Sequence, residues 1–469
     1  MQNSDLVKNI RRVAIALLAL FVVLFVYISY LQVIASSFYA SHPLNRRSVE
    51  YAKTVPRGTI FDRHGQKLAV SEKTEHNGFK RSYPYGAITA HFIGYDSVKL
   101  GKAGLESAYN GYLSGLNSPA RGLGPVSRLF TGEQAYDIVL TIDADLQKAA
   151  YQALGNQRGA VLVIEPRSGA ILAMVSKPGF DPNQVDAQWD TLSNSAASPL
   201  LNRATGGLYP PGSIIKPMFA EAALTEHIAD LQQTFDCQGE LNIGADYILA
   251  DTNHKAHGKI DLAQALAVSC NVTFGKIAID LGNTKVENTF ERFGFGKSAG
   301  ADLQEVPSRL PDFRRLGDGD LAQTGIGQGS LLVTPLRMAL LASTLANHGI
   351  TMRPYLIQKI TTSDGNAIKS YVPEEWLKPT DAQTAQSVTA MMVGVVEKGT
   401  GTSARIAGTK VAGKTGTAEN PHGQDHAWFI GFAPADNPIV AVAVIVENGG
   451  AGGAVAAPIA RQVLIQALR

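Results

Sequence analysis

The sequence predicts a mixed α/β fold of the α+β type, with a central antiparallel sheet and helices on both sides. Two hairpin patterns carry this prediction. In 159–176, two apolar runs flank the polar turn Glu165-Pro166-Arg167-Ser168-Gly169. In 427–446, two more apolar runs flank Pro434-Ala435-Asp436-Asn437-Pro438. Apolar segments at helical spacing lie between the hairpins and after them, notably 260–281, 336–347 and 457–468.

Residues 13–33 are predicted to form a transmembrane anchor, because 13–31 contain neither charge nor proline. Lys8, Arg11 and Arg12 precede this run. The positive-inside rule therefore predicts a short cytoplasmic tail over 1–12, with the following residues on the outer face of the membrane, periplasmic or extracellular. A cleaved signal peptide is the alternative, but the run exceeds the apolar core of about 7–15 residues that signal peptides have.

The segment after the anchor predicts a small β-rich module over 34–150, which we call the pedestal. A short hairpin is expected at 60–69, a helix at 105–113 and a loop at 117–134. A strand at 137–142 follows, and Asp143 is expected to cap a helix over 144–154. The larger domain is expected to occupy 151–469.

Composition excludes some functions. The chain has 42 Lys and Arg against 40 Asp and Glu, which gives no support for nucleic-acid binding. Cys237 and Cys270 are too few for a disulfide scaffold, and the pattern favours two buried apolar thiols without deciding whether they are bonded. His254 and His257 lack a third ligand nearby in sequence, so a surface loop is preferred and no metal or cofactor is predicted.

Ser213 and Lys216 follow a Pro-Pro-Gly turn and are three residues apart. If a helix begins at this turn, both side chains lie on one face of its first turn. A hydroxyl and an amine at this spacing can act as a nucleophile and its base. The alternative is an ordinary helix start, with Ser213 as the N-cap and Lys216 in water. The pair alone does not decide between them.

Two further polar motifs follow along the chain. Ser269-Cys270-Asn271 interrupts an apolar helical run, which suits either a helix–helix connection facing a cleft or a polar interruption satisfied by backbone. Lys414-Thr415-Gly416-Thr417 ends an apolar strand. A glycine inside a strand marks the close approach of a ligand or of another backbone, and an edge strand with a turn is the alternative.

The order S-x-x-K, S-x-N and K-T-G resembles that of penicillin-binding proteins and serine β-lactamases. The segment from Arg57 to Ala69 and the triplet Gly104-Leu105-Glu106 extend the resemblance to class B penicillin-binding proteins, which are membrane-anchored. The resemblance covers nearly the whole chain. It implies a transpeptidase/serine β-lactamase-like fold over 151–469 and a dimerisation-like pedestal before it.

The resemblance also implies roles for the motif residues. Ser213 would attack the bond between two terminal D-alanines of a peptidoglycan stem peptide, and Lys216 would take the serine proton. Burial and the nearby cation of Lys414 are expected to lower the pKa of Lys216. Ser269 would relay the proton to the leaving amine, and Asn271 would orient Lys216 and the substrate amide.

At the strand, the resemblance implies that Lys414, Thr415 and Thr417 hold the substrate carboxylate. Gly416 would let the acyl peptide lie flat, and the backbone N–H groups of Ser213 and Thr417 would form the oxyanion hole. Three acidic residues are expected to stay outside the chemistry: Glu106 and Glu397 as structural groups and Glu165 as a turn residue.

The expected function is cross-linking of peptidoglycan, in division or elongation, with β-lactams as inhibitors and a SEDS-type glycosyltransferase as the partner that the resemblance implies. A β-lactamase or D,D-carboxypeptidase would share the acylation step and pass the acyl group to water. A β-lactam-sensing acylation domain is a third, non-enzymatic possibility. The anchor, the pedestal and the lack of an E-x-x-L-N segment between Asn271 and Lys414 favour the transpeptidase.

Overall fold

The computed structural model describes residues 2–35, 56–75, 78–115, 135–244, 247–300, 302, 304–421 and 423–469. The loop predicted at 117–134 lies outside the described residues, as does His422, which follows the Lys-Thr-Gly motif in the sequence.

The N-terminus is one long helix, α1, over Gln2–Val33. Its segment Leu6–Val33 is long and apolar enough to cross a membrane, and it is the one helix with this property in the described ranges. Its 28 residues would span about 42 Å, which exceeds the hydrocarbon core of a bilayer. The helix begins at Gln2, so the basic residues predicted to form a tail are helical as well.

Nineteen strands are present in the described part of the chain. In order they are β1 Ile60–Phe61, β2 Lys67–Lys73, β3 Phe79–Ser82, β4 Asp96–Ser97, β5 Gly101–Lys102, β6 Asp137–Leu140, β7 Gly159–Ile164, β8 Ile171–Lys177, β9 Thr234–Cys237, β10 Glu240–Ile243, β11 Tyr247–Ala250, β12 Gly258–Asp261, β13 Thr351–Met352, β14 Ile357–Thr361, β15 Ala367–Ser370, β16 Glu375–Leu377, β17 Ala412–Ala418, β18 His426–Ala433 and β19 Val440–Val446.

The α-helices that follow α1 are α2 Ala90–Ile93, α3 Gly104–Ala108, α4 Asn110–Leu113, α5 Ala144–Ala153, α6 Val185–Ser193, α7 Arg203–Gly206, α8 Lys216–Thr225, α9 Leu262–Val268, α10 Asn271–Arg292, α11 Asp318–Gly325, α12 Pro335–Ala346, α13 Ala382–Lys398 and α14 Ala456–Ala467.

The centre of the larger domain is a five-stranded sheet in the order β17-β18-β19-β7-β8, antiparallel throughout. Both predicted hairpins are confirmed, as β7–β8 and β18–β19. Strand β19 is buried at every residue, because both faces of the sheet are covered. One face, with Leu162 and Ile430, packs on the helix α12, and the other, with Val163 and Val444, packs on α5 and α14. The predicted sheet with helices on both sides is confirmed.

A second sheet, of six strands in the order β15-β14-β6-β1-β2-β3, forms the body of the pedestal. The predicted hairpin at 60–69 is β1 pairing with β2. Strands β14 and β15 come from residues after 350 and join the pedestal through β6. The predicted strand at 137–142 ends at Leu140, and Asp143 caps α5 as expected, accepting from Asp145 N and Leu146 N at 3.0 and 2.9 Å.

Glu106 is fully buried in the pedestal and joins segments that are distant in sequence. Its carboxylate accepts from Arg57 Nε at 2.5 Å and from Arg81 Nε at 2.6 Å. The expected structural role of Glu106 agrees with these contacts. The helix predicted at 105–113 is instead two short helices, α3 and α4, that meet at Tyr109.

Residues 260–281, which have helical spacing, do not form one continuous helix. Residues Ile260 and Asp261 belong to β12, α9 ends at Val268, and α10 begins at Asn271. Ser269 lies between the helices with φ 63° and ψ 38°, in the left-handed region that non-glycine residues seldom adopt. The break therefore turns the chain at the Ser-Cys-Asn motif.

Candidate active site

Ser213 lies in a 3₁₀ turn over Gly212–Ile215, directly before the helix α8. Its side chain is half-buried and makes no hydrogen bond with any residue that the structure describes. The N-cap interpretation of Ser213 is wrong, because no helix N–H donates to its side chain. Its backbone carbonyl accepts from Lys216 N–H, and Pro217, which has no N–H, follows. The hydroxyl is therefore uncommitted.

Backbone contacts clamp this turn against the end of the central sheet. Gly212 N donates to Gly327 O at 2.8 Å, and Trp428 Nε1 donates to Pro210 O at 3.0 Å. Gly212 has φ +56°, and a Cβ there would lie 2.8 Å from Thr417 O. Glycine is therefore required at 212 both for its backbone conformation and for its closeness to β17.

Lys216 is fully buried, which excludes the alternative of a lysine in water. Its Nζ donates to Ser269 O and to Asn271 Oδ1, each at 2.7 Å, and lies 3.3 Å from Ser269 Oγ. All three acceptors belong to the junction between α9 and α10. The left-handed conformation of Ser269 thus directs its carbonyl and its hydroxyl toward one amine.

Asn271 and Asp251 hold this junction in place. Asn271 Nδ2 donates to Ala250 O at 2.9 Å, and its backbone N–H donates to Asp251 Oδ1 at 2.5 Å. Asp251 is buried at the end of β11 and belongs to no motif that the sequence indicated. Ser269 and Asn271 therefore face Lys216, and the Asn271 side chain also donates to a backbone carbonyl. Each of the two interpretations of Ser-Cys-Asn thus describes part of its contacts.

The third motif lies on β17, the edge strand of the central sheet. Lys414 is fully buried, and its Nζ donates to Ser269 Oγ at 2.9 Å. The Thr415 hydroxyl shares a 2.6 Å hydrogen bond with that of Thr400, whereas Thr417 is exposed and its Oγ1 accepts from Gly452 N at 3.3 Å. One hydroxyl, Ser269 Oγ, thus contacts the lysines of both other motifs.

Gly416 is packed too tightly to accept a side chain. A Cβ at this position would lie 2.9 Å from Ile214 Cγ2 and 3.1 Å from Pro211 O. The strand therefore lies directly against the turn that carries Ser213. The structure brings all eight predicted residues to the place where the turn before α8, the α9–α10 junction and β17 meet. These residues are Ser213, Lys216, Ser269, Asn271, Lys414, Thr415, Gly416 and Thr417.

The electrostatics of the cleft are those of two buried amines. Burial lowers the pKa of Lys216 to about 8, although the nearby Asp251 acts in the opposite direction. Burial, and then the neighbouring Lys216, lower the pKa of Lys414 well below its ordinary value. Because both Nζ atoms contact Ser269 Oγ, a proton on one amine disfavours a proton on the other. Near neutral pH the pair therefore holds fewer than two protons.

Behind the motif lies a cluster of two thiols, a carboxylate and an imidazole. Cys237 Sγ and Cys270 Sγ are free and 3.1 Å apart, and each donates to Asp251 Oδ2 at 3.1 Å. Donor atoms of Cys237, Asp251 and His257 all lie within 4.8 Å of one another. Both thiols are buried and free, as the sequence favoured, but their surroundings are polar because both contact Asp251. The third potential ligand near His257 comes from these distant residues rather than from its sequence neighbours. Cys237, Asp251 and His257 offer the sulfur, oxygen and nitrogen ligand types that Zn²⁺ takes in proteins.

Three further residues that the structure describes, His254, His426 and Glu165, have their contacts away from Lys216 and Lys414. His254 is exposed and pairs with Glu240 at 2.6 Å, as expected of a surface loop. His426 begins β18 and is buried beside the Tyr209 ring. Glu165 accepts from Ser168 within its hairpin turn, as expected of a turn residue.

Sequence reasoning missed a partly buried carboxylate that supports the nucleophile turn. Glu447 Oε1 accepts from Arg203 Nε at 2.6 Å and from Tyr209 OH at 2.7 Å. Tyr209 begins the stretch that leads to Ser213, so this acid at the end of β19 fixes the entry to the turn. No local pattern around Glu447 indicates a partner more than 200 residues away.

Comparison with known families agrees with this geometry. The family described as penicillin binding protein transpeptidase domain matches residues 159–465, and the penicillin binding protein A dimerisation domain matches 57–136. The peptidoglycan D,D-transpeptidase PbpA of Mycolicibacterium smegmatis is 35% identical, over 98% of this chain and 99% of that protein. The peptidoglycan D,D-transpeptidase MrdA of Escherichia coli K12 is 32% identical, over 83% of this chain and 71% of its own length.

Solved structures give the same result. The penicillin G acyl-enzyme complex of penicillin-binding protein A from M. tuberculosis has a TM-score of 0.82 and 34% identity, covering 88% of this chain and all of that one (100%). Pseudomonas aeruginosa PBP2 in complex with WCK 5153 has a TM-score of 0.76 and 34% identity, covering 88% of this chain and 97% of its own. By its domains, its relatives and its fold, the chain belongs to the class B penicillin-binding proteins.

Proposed function

We propose that this protein is a serine-type peptidoglycan D,D-transpeptidase that acts through an acyl-enzyme on Ser213. The observation that carries the proposal is the arrangement of a buried amine, Lys216, three residues from an uncommitted and half-buried hydroxyl. The names of the relatives, which are peptidoglycan D,D-transpeptidases, support it. Substrates would be stem peptides ending in D-Ala-D-Ala, with β-lactams as inhibitors.

In the acylation step, Ser213 Oγ attacks the carbonyl carbon between the two D-alanines, and its proton passes to neutral Lys216 Nζ. The tetrahedral intermediate then expels the amine of the terminal D-alanine, which must gain a proton. Ser269 Oγ, 3.3 Å from Lys216 Nζ, lies where it can relay that proton. With a pKa of about 8, about one-tenth of Lys216 is neutral at pH 7, against less than about one part in a thousand at the ordinary pKa.

The substrate carboxylate would bind at Lys414 and Thr417. Thr415 is less suited to this role, because its hydroxyl is buried and bonded to Thr400 at 2.6 Å. A carboxylate beside Lys414 favours the protonated form of that amine, and the added charge disfavours a proton on Lys216. The substrate would therefore help to generate the base that acylation requires.

The oxyanion would be met by the backbone N–H groups of Ser213 and Thr417. One such donor typically lowers the activation free energy by about 2.7–4 kcal/mol. The close contact between Gly416 and the Ser213 turn keeps these two N–H groups at a fixed separation. Asn271 Nδ2 donates one hydrogen to Ala250 O and keeps a second for the substrate amide.

The organisation of the chain follows from the same proposal. A cytoplasmic tail over 1–12 and an anchor over 13–33 would hold the pedestal, 34–150, and the transpeptidase domain, 151–469, on the outer face of the membrane. The basic residues before the apolar run support this orientation. A SEDS-type glycosyltransferase would bind through the anchor and the pedestal. Co-purification from membranes should then be lost when residues 1–35 are replaced by an unrelated anchor.

Labelling with a fluorescent penicillin tests the catalytic assignment. Wild-type protein should be labelled covalently and Ser213→Ala should not, while both keep the same thermal unfolding midpoint. Labelling that persists in Ser213→Ala would contradict the assignment of the nucleophile. An adduct that hydrolyses within seconds would instead favour a β-lactamase, since a transpeptidase protects its acyl-enzyme from water.

A further inference from the structure

Thr400 connects the helix α9 to the strand β17, although it belongs to none of the three motifs. In the chain it lies between α13 and β17. Its backbone N–H donates to Ala267 O, in the last turn of α9, at 3.1 Å. Its hydroxyl shares the 2.6 Å hydrogen bond with that of Thr415 on β17. One residue therefore contacts both the helix that leads to Ser269 and the strand that carries Lys414.

The backbone around Thr400 is held by close contacts. The N–H groups of its two neighbours, Gly399 and Gly401, both donate to one carbonyl at the end of α13, at 3.1 and 3.0 Å. A Cβ at Gly399 would lie 2.2 Å from Ala267 O, so this loop packs directly on α9. A Cβ at Gly453 would lie 2.6 Å from Thr400 O. The side chain of Thr400 therefore reaches β17 from a fixed backbone.

These contacts form a closed ring that includes the Lys414 amine. Lys414 Nζ donates to Thr415 O at 2.8 Å and to Ser269 Oγ at 2.9 Å. The Thr415 hydroxyl is bonded to that of Thr400, and Thr400 N is bonded to Ala267 O. Ala267 is two residues before Ser269, so backbone closes the ring. Loss of the Thr400 hydroxyl would open the ring at Thr415.

We propose that Thr400 is a positioning residue for acylation, which holds the Lys414 amine against Ser269 Oγ by way of Thr415. The proposal rests on the function proposed above, in which Ser269 Oγ relays a proton to the leaving amine. A relay works only when its hydroxyl is held in the geometry of the transfer, so the contact of Ser269 with Lys414 affects the rate of acylation. Thr400 acts through Thr415 rather than on the substrate.

The two threonines differ in exposure, and this difference makes the hydrogen bond important for β17. Thr415 is buried, with 6% of its surface exposed, whereas Thr400 is exposed. A buried hydroxyl that loses its partner destabilises the structure, while an exposed hydroxyl can bind water instead. In Thr400→Val the Thr415 hydroxyl gains a new partner only if β17 or the loop shifts toward water. That shift reaches Lys414, because its amine is bonded to Thr415 O.

The test uses the full-length protein in detergent and stopped-flow labelling with increasing concentrations of a fluorescent penicillin. These data separate the limiting rate of acylation from the dissociation constant of the complex that precedes it. Thr400→Val should lower the limiting rate about two- to tenfold, as for one neutral hydrogen bond, and leave the dissociation constant unchanged. Thr400→Ser keeps the hydroxyl and should keep the wild-type rate. Thr402→Val is the matched control, because no residue that the structure describes bonds the Thr402 hydroxyl, and both values should stay unchanged.

A double-mutant cycle tests whether Thr400 acts through Thr415. Thr415→Val removes the same hydrogen bond, so this variant and the double variant should both have the limiting rate of Thr400→Val. Effects that multiply in the double variant would overturn the proposal, and so would a raised dissociation constant with an unchanged limiting rate. Wild-type protein that is not labelled on Ser213 would overturn the proposed function as well. A labelled wild type with the same limiting rate in Thr400→Val overturns only the role of Thr400.

Discussion

The pH dependence of acylation follows directly from the burial of Lys216. The amine is fully buried, and burial lowers its pKa to about 8. Below that value Lys216 keeps its proton and cannot accept one from Ser213. The rate of acylation is therefore predicted to rise with pH and to level off above pH 8, when the amine is mostly neutral.

The expected size of the effect comes from the neutral fraction. With a pKa of about 8, Lys216 is neutral in about 1% of molecules at pH 6, about 10% at pH 7 and about 50% at pH 8. Acylation should accelerate about tenfold between pH 6 and pH 7, and about twofold from pH 8 to the plateau. Asp251 favours the proton on Lys216 and so opposes the effect of burial, and Lys216 in turn disfavours a proton on Lys414.

The assay is the second-order rate constant for labelling by a fluorescent penicillin, measured in stopped flow at constant ionic strength from pH 6 to pH 9. Lys216→Arg is the matched control, because arginine keeps its proton throughout this range. We expect only background labelling of that variant at every pH. A wild-type profile that is flat from pH 6 to pH 9 would refute the assignment of Lys216 as the base.

Three substitutions test separate parts of the account. Asn271→Ala removes the 2.7 Å hydrogen bond to Lys216 Nζ, and a bond to a charged group contributes about 1.5–3 kcal/mol, so labelling should slow by about 10- to 100-fold. Gly452→Ala places a Cβ 2.2 Å from Gly416 O, so we expect a loss of about 1–3 kcal/mol in urea unfolding and slower labelling. Glu106→Gln removes the negative charge between Arg57 and Arg81, although Arg57 Nε keeps Asp96 Oδ2 at 3.6 Å, so unfolding should cost about 3–5 kcal/mol less, with labelling unchanged.

Each substitution has either a control variant or a result that would contradict its prediction. Gly394 lies on α13, where an added Cβ would be 3.9 Å from Lys398 Cε. The control Gly394→Ala should therefore leave the free energy of unfolding unchanged or raise it by up to about 1 kcal/mol. If Gly452→Ala is as stable as Gly394→Ala, the close packing of Gly452 against Gly416 on β17 is wrong. Normal labelling of Asn271→Ala would show that Lys216 needs no orienting amide. If Glu106→Gln is fully folded but is labelled much more slowly than the wild type, the pedestal must affect the residues around Ser213.

The parts of the fold that could be predicted are those that local pattern determines. Both hairpins of the central sheet have apolar strands and a turn that contains proline and polar residues, so each could be identified from about 20 residues. Asp143 as a helix cap is equally local. The three motifs were identified by their order and placed in one cleft by resemblance to a family.

The parts that could not be predicted depend on contacts between distant segments. Strands β14 and β15 join the pedestal sheet although they follow most of the larger domain, and nothing in their own sequence indicates this. The break at Ser269 required a left-handed conformation that helical periodicity does not reveal. Asp251 and Cys237 belong to no motif, and nothing in the Ser-Cys-Asn motif indicates that Cys270 contacts them, because β9, β11 and α10 bring these residues together only in the folded chain.

The central claim is that Ser213 forms an acyl-enzyme that is resolved by an amine. Its most direct test is incubation with a stem peptide ending in D-Ala-D-Ala and a D-amino acid acceptor, followed by peptide mapping of the trapped enzyme and analysis of the products. The account predicts an acyl group on Ser213, release of D-alanine and transfer of most of the acyl group to the acceptor amine. An adduct on another residue, or release of the peptide to water alone at saturating acceptor, would contradict it.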